Sequence, residues 1–240
     1  MKNSYIFQRI EKKYMLKKSE YERLIEKIGS NLEIDEYGES TVCSIYLDTD
    51  DWLLIRNSIE AVAYKEKLRL RSYGSLDRNS MIFFEIKKKY LGTVYKRRAV
   101  MRYEELQNYI LGRTMPQNSQ IMNEIDYLMN FYGEPKPKTA LFYERSAYTA
   151  PCDDGLRLTF DRNVRYRTHD FFSGSIEGKS ITDSDSVLME IKTPGAMPLW
   201  LSHALDENMI YPTSFSKYGT AYRDMCRNNI NISKGELLNV

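Results

Sequence analysis

The sequence has few of the residues on which many active sites depend. Its 240 residues include three cysteines and two histidines, and Cys43, Cys152 and Cys226 lie far apart. An odd number of widely spaced cysteines fits neither a disulfide framework nor a zinc cluster. With only His169 and His203 available, a histidine pair or a histidine-rich metal site is disfavoured as well.

Long apolar runs are also missing. No stretch is long enough to span a bilayer, and the first residues, MKNSYIFQRIEKKY, lack the apolar segment of a secretory signal. Together with the cysteine content, this pattern predicts a cytoplasmic protein. The formal net charge of +2 is too small for bulk attraction to a nucleic acid, and 42% hydrophobic with 28% charged residues is typical of a globular protein.

Strand-like segments outnumber helical ones. The apolar periodicity and turn signals predict strands over 5–14, 40–49, 61–72, 81–89, 93–101, 139–149, 156–162 and 186–192. Helices are expected over 19–28, with Ser19 and Glu22 as a capping box, directly after Asp50, over 103–133 with a break at 115–118, from Pro198, and after Phe215.

This order of elements predicts the fold class. Consecutive strands joined by short turns favour antiparallel pairing, and hence an α+β fold or a β-barrel of about eight strands. The connector YGEPKPKT over 132–139 resembles a domain boundary, but the same charge pattern occurs on both sides of it. We therefore expect one domain over 1–240.

The charge pattern is clearest in KEKLRLRSYG, residues 65–74. Successive side chains of a strand face opposite sides, so Lys65, Lys67, Arg69 and Arg71 would share one face. Two glutamate–lysine pairs at alternate positions flank apolar residues in strands, Glu85 with Lys87 and Glu190 with Lys192, and Glu11 with Lys13 has the same spacing. Further cations follow this alternation at Lys96, Arg98, Arg145 and Arg157.

Two interpretations of this pattern remain open. Each strand could be half exposed, with its charges solvated. Alternatively, the strands could form a barrel with a polar interior, in which isolated buried cations would be very unfavourable. Phosphate oxygens would satisfy such cations, and a divalent cation bridging carboxylate and phosphate would satisfy the glutamates. The second interpretation predicts a polar tunnel for a phosphate chain and a metal ion.

Eight segments in order resemble one family. They are RIEKKY, KLRLRSYG, FFEIKKKY, TVYKRRAV, YERSAY, LRLTFD, SVLMEIKT and SFSKYGTAY, spread over about residues 7 to 228. The order is similar to that of the vacuolar transporter chaperone (VTC) domain, the polyphosphate polymerase branch of the triphosphate tunnel metalloenzymes.

The resemblance implies an antiparallel β-tunnel with helices packed outside it, which transfers the γ-phosphate of ATP onto polyphosphate with Mn²⁺ or Mg²⁺. It implies Glu190 as a metal ligand, with Glu11 and Glu85 as further candidates. The residues expected to bind or act on phosphate are Lys13, Arg69, Arg71, Lys87, Lys96, Arg98, Arg145, Arg157, Lys192, Ser216 and Lys217. Ser216 and Lys217 precede a helix, whose N-terminus would favour an anion.

The first strand departs from the hydrolytic relatives. Triphosphatases, thiamine triphosphatase and class IV adenylyl cyclase carry Glu-x-Glu-x-Lys there, whereas this sequence has Arg9, Glu11 and Lys13. A cation in place of a carboxylate favours holding a long anion over activating water. The departure therefore favours a polymerase.

Alternative roles stay open. Glu11 and Glu85 could be ion-pair partners of cations rather than metal ligands, and Asp48 is expected to end a strand or cap a helix. The expected ligands are ATP and polyphosphate or triphosphate, with no nucleic acid and with a membrane partner chain as an option for export. A triphosphatase, a non-catalytic polyphosphate or nucleotide sensor, and an RNA-binding module are the competing functions.

Overall fold

The described chain forms two compact units. The structure is a computed structural model that describes residues 10–60, 62–91, 93–112 and 114–237, without the side chains of 37 and 229–237. The first unit comprises the described residues of Met1–Ser40, Tyr143–Val164 and Thr182–Phe215, and the second those of Thr41–Phe142, Arg165–Ile181 and Ser216–Val240. The single domain expected over 1–240 stays a prediction.

Nine strands and six α-helices are assigned in the described residues. The strands are β1 (Ile10–Lys17), β2 (Glu33–Asp48), β3 (Tyr64–Tyr73), β4 (Met81–Tyr90), β5 (Thr93–Arg102), β6 (Lys136–Thr149), β7 (Arg157–Arg167), β8 (Lys179–Ser180) and β9 (Ser186–Thr193). The helices are α1 (Lys18–Ile28), α2 (Leu53–Ile59), α3 (Tyr103–Gly112), α4 (Gln120–Phe131), α5 (Leu199–Glu207) and α6 (Lys217–Leu237).

The first unit is built on antiparallel pairing of β9 with β1 and with β7. Side chains on one face of these strands, such as Tyr14, Met189 and Phe160, are buried with apolar residues of α1 and α5. Because side chains alternate along a strand, the other face carries Glu11, Lys13 and their neighbours. The helices thus cover the apolar face and leave a charged one.

The second unit repeats this arrangement. Its strands β2, β3, β4 and β5 pair in that order, and the β2–β3, β3–β4 and β4–β5 ladders are antiparallel. Leu68, Leu70, Phe84 and Ile86 belong to a buried core with residues of α3 and α4. The alternate positions 67, 69, 71, 85 and 87 are polar or charged and lie on the opposite face.

The expected α+β antiparallel fold of about eight strands with attached helices is confirmed. The tunnel itself stays a prediction. Residues 5–9 of the first expected strand lie outside the described residues. No helix of the described residues is both long and apolar enough to cross a membrane.

Two local predictions were wrong. The expected capping box of Ser19 and Glu22 lies inside α1, which begins at Lys18, and Glu20 instead accepts a hydrogen bond from the Lys17 backbone N–H at 2.7 Å. The strand expected over 139–149 after the connector 132–139 begins earlier, within that connector at Lys136. Pro137 is the second residue of that strand, near its end, where proline is tolerated.

Candidate phosphate-binding clusters

The first charged cluster lies on β1, β9, β7 and β6 of the first unit. In the β1–β9 ladder, Lys13 is directly opposite Glu190, and Glu11 is directly opposite Lys192. Facing residues of an antiparallel pair have Cβ atoms roughly 5 Å apart. The ladder therefore alternates the two carboxylates with the two ammonium groups, so that each group has oppositely charged neighbours along its own strand and across the ladder.

Glu190 is the centre of this cluster, and only 8% of its surface is exposed. Its carboxylate oxygens lie 3.8 Å from Lys13 Nζ, 3.5 Å from Lys192 Nζ and 3.8 Å from Arg145 Nη2. Glu11 shares two of these partners, at 3.5 Å from Lys13 and 3.9 Å from Lys192. We name these five residues, together with Asp161, the Glu190 cluster.

A backbone segment of the same unit also contacts Lys13. The Lys13 ammonium donates a hydrogen bond to the Phe215 carbonyl oxygen at 3.0 Å, and the Thr213 N–H donates to the Lys13 carbonyl at 2.7 Å. The segment before α6 therefore lies against β1.

Arg145 is oriented by a fully buried carboxylate that the sequence analysis missed. Its Nε and Nη2 donate to the two carboxylate oxygens of Asp161 at 2.6 and 2.7 Å, and its guanidinium lies 5.2 Å from the Tyr143 ring centre. Burial disfavours the charged guanidinium, but Tyr143, Asp161 and Glu190 outweigh it and raise the pKa of Arg145 well above its ordinary value. Asp161 thus holds the charged guanidinium of Arg145 in a fixed orientation beside Glu190.

Arg157 belongs to the same charged face but has a different partner. It is directly opposite Lys192 in the β7–β9 ladder, and its Nε lies 2.9 Å from Asp35. Asp35 is buried. The structure therefore places Arg157 beside the Glu190 cluster by register and ties its guanidinium to β2.

The second charged cluster lies on β3, β4 and β5 of the second unit and centres on Glu85, which is 1% exposed. Arg69 Nε and Lys96 Nζ each contact a carboxylate oxygen at 2.5 Å, and Arg71 Nε lies 4.0 Å away. Glu85 faces Arg69 on one side and Arg98 on the other in the ladders. We name these five residues the Glu85 cluster.

Opposite charges shift two pKa values in this cluster. Burial raises the pKa of Glu85, but Arg69, Arg71 and Lys96 lower it more, to about 2. Burial lowers the pKa of Lys96 to about 8, assisted by Arg69 and Arg71 and opposed by Glu85. Glu85 is therefore an ionised ion-pair partner at neutral pH, which is one of the two roles considered for it.

Lysines continue the charged face beyond the Glu85 cluster. Lys87 is directly opposite Lys67 in one ladder and Lys96 in the next, while Lys65 is opposite Lys89. Like charges directly opposite each other destabilise a sheet. A row of such pairs is suited to an extended anion.

The remaining predicted residues lie at the start of α6 and on β5. The Ser216 hydroxyl accepts a hydrogen bond from the Gly219 N–H at 3.2 Å, and Lys217 is the first residue of α6. Arg98 lies over the Phe83 ring at 5.0 Å. Within the second unit, Tyr218 links this helix end to β2, as its ring stacks on Tyr46 at 4.2 Å.

Tyr46 is a further residue that the sequence analysis missed. Arg69 Nη1 donates to its hydroxyl at 3.3 Å. Burial raises the pKa of Tyr46, but Arg69, Lys67 and Arg71 lower it more, to about 8. Its position alternates with Ser44 along β2, so face alternation was the signal that could have identified it.

Asp48 has the structural role that the sequence predicted. It is fully buried, and its carboxylate accepts hydrogen bonds from the backbone N–H groups of Thr49, Leu54 and Ile55 at 2.8 to 3.0 Å. The Tyr218 hydroxyl donates to it at 2.8 Å. These bonds cap α2 and fix α6.

The side chains around Glu190 are compatible with Mg²⁺ or Mn²⁺. Glu190 and Glu11 provide two hard oxygen donors on adjacent strands. Among the described residues, no group of three His, Cys, Asp or Glu side chains could hold a metal ion. Mg²⁺ typically binds one or two carboxylates together with waters and substrate phosphates. The donor set thus suits a metal ion that is completed by a phosphate ligand.

The low pKa of Glu85 predicts a pH-dependent contribution to stability. The folded pKa, about 2, is below the ordinary 4.5, so this stabilisation is present above about pH 4.5 and is lost as the pH falls toward 2. The shift corresponds to about 3 kcal/mol. We expect Glu85→Gln to lower the free energy of unfolding, measured with urea, by that order near neutral pH and by little near pH 2. An equal loss at both values would contradict the ion pairing.

The lowered pKa of Lys96 predicts weaker anion binding at alkaline pH. With a pKa of about 8 in the folded chain, the ammonium loses its charge as the pH rises through that value. We expect the affinity for tripolyphosphate, measured by calorimetry, to fall between about pH 7 and 9 and to fall less in Lys96→Arg, because arginine stays charged. Lys18→Arg, on the exposed surface of α1, should keep the parent pH dependence; an unchanged slope in Lys96→Arg would refute the assignment.

Fold and clusters together define a class of protein: an antiparallel sheet with one apolar, helix-covered face and one face rich in cations. Within that class, residues 8–226 match the VTC domain model. The chain belongs to the VTC domain family.

The chain is also similar to one curated protein and to solved structures. The chain is 26% identical over 151 residues to vacuolar transporter chaperone complex subunit 4 of Schizosaccharomyces pombe, and the match spans 52% of this chain and 20% of that protein. The fold is similar to a candidate adenylate cyclase of Bacillus halodurans, with a TM-score of 0.54, 17% identity, and coverage of 87% of this chain and 93% of that one. The PH1819 protein of Pyrococcus horikoshii aligns with a TM-score of 0.48 and 13% identity, over 91% of this chain and 99% of that one.

Proposed function

We propose that this chain is a metal-dependent polyphosphate polymerase that transfers the γ-phosphate of ATP onto a polyphosphate chain. One observation carries the proposal: each unit has a buried glutamate in contact with three cations. Burying an excess of positive charge is unfavourable without an anion, and guanidinium and ammonium groups are well suited to phosphate oxygens. Membership of the VTC domain family supports a polyphosphate-related function.

The proposed transfer needs positioning more than side-chain chemistry. An oxygen of the acceptor's terminal phosphate forms a bond to the γ-phosphorus of ATP, the bond to the β–γ bridging oxygen breaks, and ADP leaves. The acceptor phosphate is already ionised, so no general base is required. Within each unit, the cations of its cluster bind and orient phosphates, and Asp161 holds Arg145 in place for this role.

The proposed metal site centres on Glu190, with Glu11 as the second candidate ligand. Bound Mn²⁺ or Mg²⁺ would neutralise charge on the transferring phosphoryl group. Glu85 is assigned instead to ion pairing, because Arg69 and Lys96 contact its carboxylate at 2.5 Å. The three cations around Glu190 lie farther from its oxygens, at 3.5 to 3.8 Å.

Two features favour polymerase over triphosphatase. The sequence has Arg9 where hydrolytic relatives carry a carboxylate, and Arg9 lies outside the described residues. The directly opposed lysines 65 and 89, 67 and 87, and 87 and 96 extend the cationic face beyond what a single triphosphate requires. Both features suit an extended anion.

The same proposal implies the ligands, the compartment and a partner chain. The ligands would be ATP and polyphosphate or triphosphate, in a cytoplasmic setting. A separate membrane chain is a candidate partner for export, since the fission yeast relative is named as a subunit of a vacuolar transporter chaperone complex.

Product analysis tests this function. The purified chain is incubated with ATP and Mn²⁺, and the products are separated by gel electrophoresis and identified by phosphorus NMR. Long-chain polyphosphate is the expected product. Orthophosphate alone would indicate a triphosphatase, and tight binding without turnover in Mn²⁺ or Mg²⁺ would indicate a binding module; either outcome would overturn the proposal.

A further inference from the structure

The hairpin of β4 and β5 has an apolar end between two groups of cations. Residues 87–98 read KKKYLGTVYKRR, with six cations and no acidic residue. The four apolar or aromatic side chains of this end are exposed: Tyr90 by 51%, Leu91 by 72%, Val94 by 47% and Tyr95 by 56%. We name these four the hairpin tip.

More exposed aromatic rings lie next to the tip. Tyr64, directly opposite Tyr90 in the β3–β4 ladder, is 46% exposed, and the two ring centres are 6.4 Å apart. On α4, Tyr127 and Phe131 are 64% and 65% exposed and stack on each other. The exposed apolar surface therefore extends from the hairpin tip onto neighbouring rings.

Buried Glu66 connects these rings. Its two carboxylate oxygens accept hydrogen bonds from the Tyr64 and Tyr132 hydroxyls, each at 2.5 Å, and Phe131 packs against Tyr132 at 4.9 Å. Glu66 also pairs with Lys88 at 3.4 Å. The aromatic surface is thus held in place and is not a set of independent exposed side chains.

Leu91 is in an unusual conformation for its type. Its φ is +45°, in the left-handed region where glycine and asparagine are favoured and a bulky side chain is an outlier. A leucine that is strained and also exposed contributes little to folding. Its side chain is 72% exposed, so it is available for a contact outside the chain.

The cations help to identify that contact. Lys89 is exposed opposite Lys65, while Lys88 and Arg97 contact Glu66 and Glu124. Lys96 also contacts Glu85, so three acidic partners face the six cations of residues 87–98, and the hairpin keeps an excess of positive charge. Lysine is depleted from protein–protein interfaces, whereas tyrosine rings with flanking lysine and arginine suit the headgroup region of a bilayer with anionic lipids.

We propose that the hairpin tip and its neighbouring rings dock onto an anionic lipid surface. Leu91 and the tyrosine rings enter the headgroup region, and the flanking cations contact lipid phosphates and carboxylates. None of the four tip residues is assigned to the charged clusters, whereas Lys96 and Arg98 among the flanking cations belong to the Glu85 cluster. The test therefore has to separate binding through the tip from binding through that cluster.

Vesicle flotation tests this inference. The purified chain is mixed with phosphatidylcholine vesicles that contain phosphatidylserine, and with vesicles of phosphatidylcholine alone. We expect binding to the first only. Leu91→Asn should weaken it about tenfold, in line with the loss of one inserted apolar side chain, while thermal stability stays equal or rises because asparagine tolerates the left-handed conformation.

The control variant is Met209→Asn. Met209 has φ +53° and 71% exposure, closely matching Leu91, but lies in the first unit outside the hairpin; it should bind vesicles as the parent does. The flotation is repeated with excess tripolyphosphate, which should leave binding largely intact.

Three results would overturn the proposal. The first is equal binding to neutral and anionic vesicles, or no binding to either. The second is complete displacement by tripolyphosphate, which would place the lipid headgroups in the charged clusters. The third is a Leu91→Asn variant that binds vesicles as tightly as the parent. If Leu91→Asn instead dissociates a dimer seen by ultracentrifugation and leaves vesicle binding unchanged, the tip is a contact between two copies of the chain.

Discussion

Replacing Arg69 by glutamine is expected to lower the affinity for tripolyphosphate by roughly 10- to 100-fold, since hydrogen bonds to charged groups are worth about 1.5–3 kcal/mol. Arg69 is bonded to Glu85 and contacts the Tyr46 hydroxyl, so its guanidinium is fixed in position before an anion binds. Calorimetric titration of the metal-free chain measures the effect directly.

Two further variants separate binding from stability. Arg69→Gln leaves the buried Glu85 short of a cation, so it should also lower the unfolding temperature. Combining it with Glu85→Gln removes that uncompensated carboxylate and should recover part of the stability that Arg69→Gln loses, while the guanidinium that binds the anion stays absent. Lys65→Gln is the matched control from the same strand face, since its ammonium already donates to the Ser58 and Glu60 carbonyls. A loss of affinity in Lys65→Gln as large as in Arg69→Gln would contradict the role given to Arg69.

Replacing Glu190 by glutamine is expected to lower Mn²⁺-dependent turnover by about a thousandfold, which corresponds to about 4 kcal/mol of transition-state stabilisation. The same change removes one negative charge from among Lys13, Lys192 and Arg145. Tripolyphosphate binding without metal should therefore be equal or tighter. Steady-state kinetics and metal-free calorimetry on the same preparation test both parts.

A loss of turnover in Glu190→Gln without a loss of metal-free tripolyphosphate binding would distinguish a metal ligand from a structural ion pair. Glu144→Gln is the control, because Glu144 is exposed and its carboxylate accepts from Asn163. If Glu190→Gln raised KM and left kcat unchanged, or weakened metal-free binding, Glu190 would be positioning cations instead of holding the metal.

Alternation along the strands predicted which side chains share a face. Arg69, Glu85 and Arg98 were placed on one face from sequence, and the ladders put them directly opposite one another. Such predictions succeed because a strand has a fixed period of two, and a single apolar face that must be buried determines which residues point away from it.

The partner of each cation could not be predicted in this way. Arg145 binds Asp161 on another strand, and Arg157 pairs with Asp35. These contacts depend on the register between strands, which the alternation within one strand does not contain. The alternation within β7 places Asp161 on the same face as Arg157 and Thr159. It does not indicate that the partner of Asp161 is Arg145.

The sequence by itself determined the elements, the apolar and charged faces and the family, because these depend on local periodicity and on the order of short motifs. Only the tertiary structure decided which cations pair with each carboxylate, as Arg69 and Lys96 do with Glu85. It also decided which side chains from distant parts of the chain pack together, as Tyr46 does with Tyr218. The physical reason is that an ion pair depends on distance and burial. Both are set by strand register and helix packing among residues far apart in the chain.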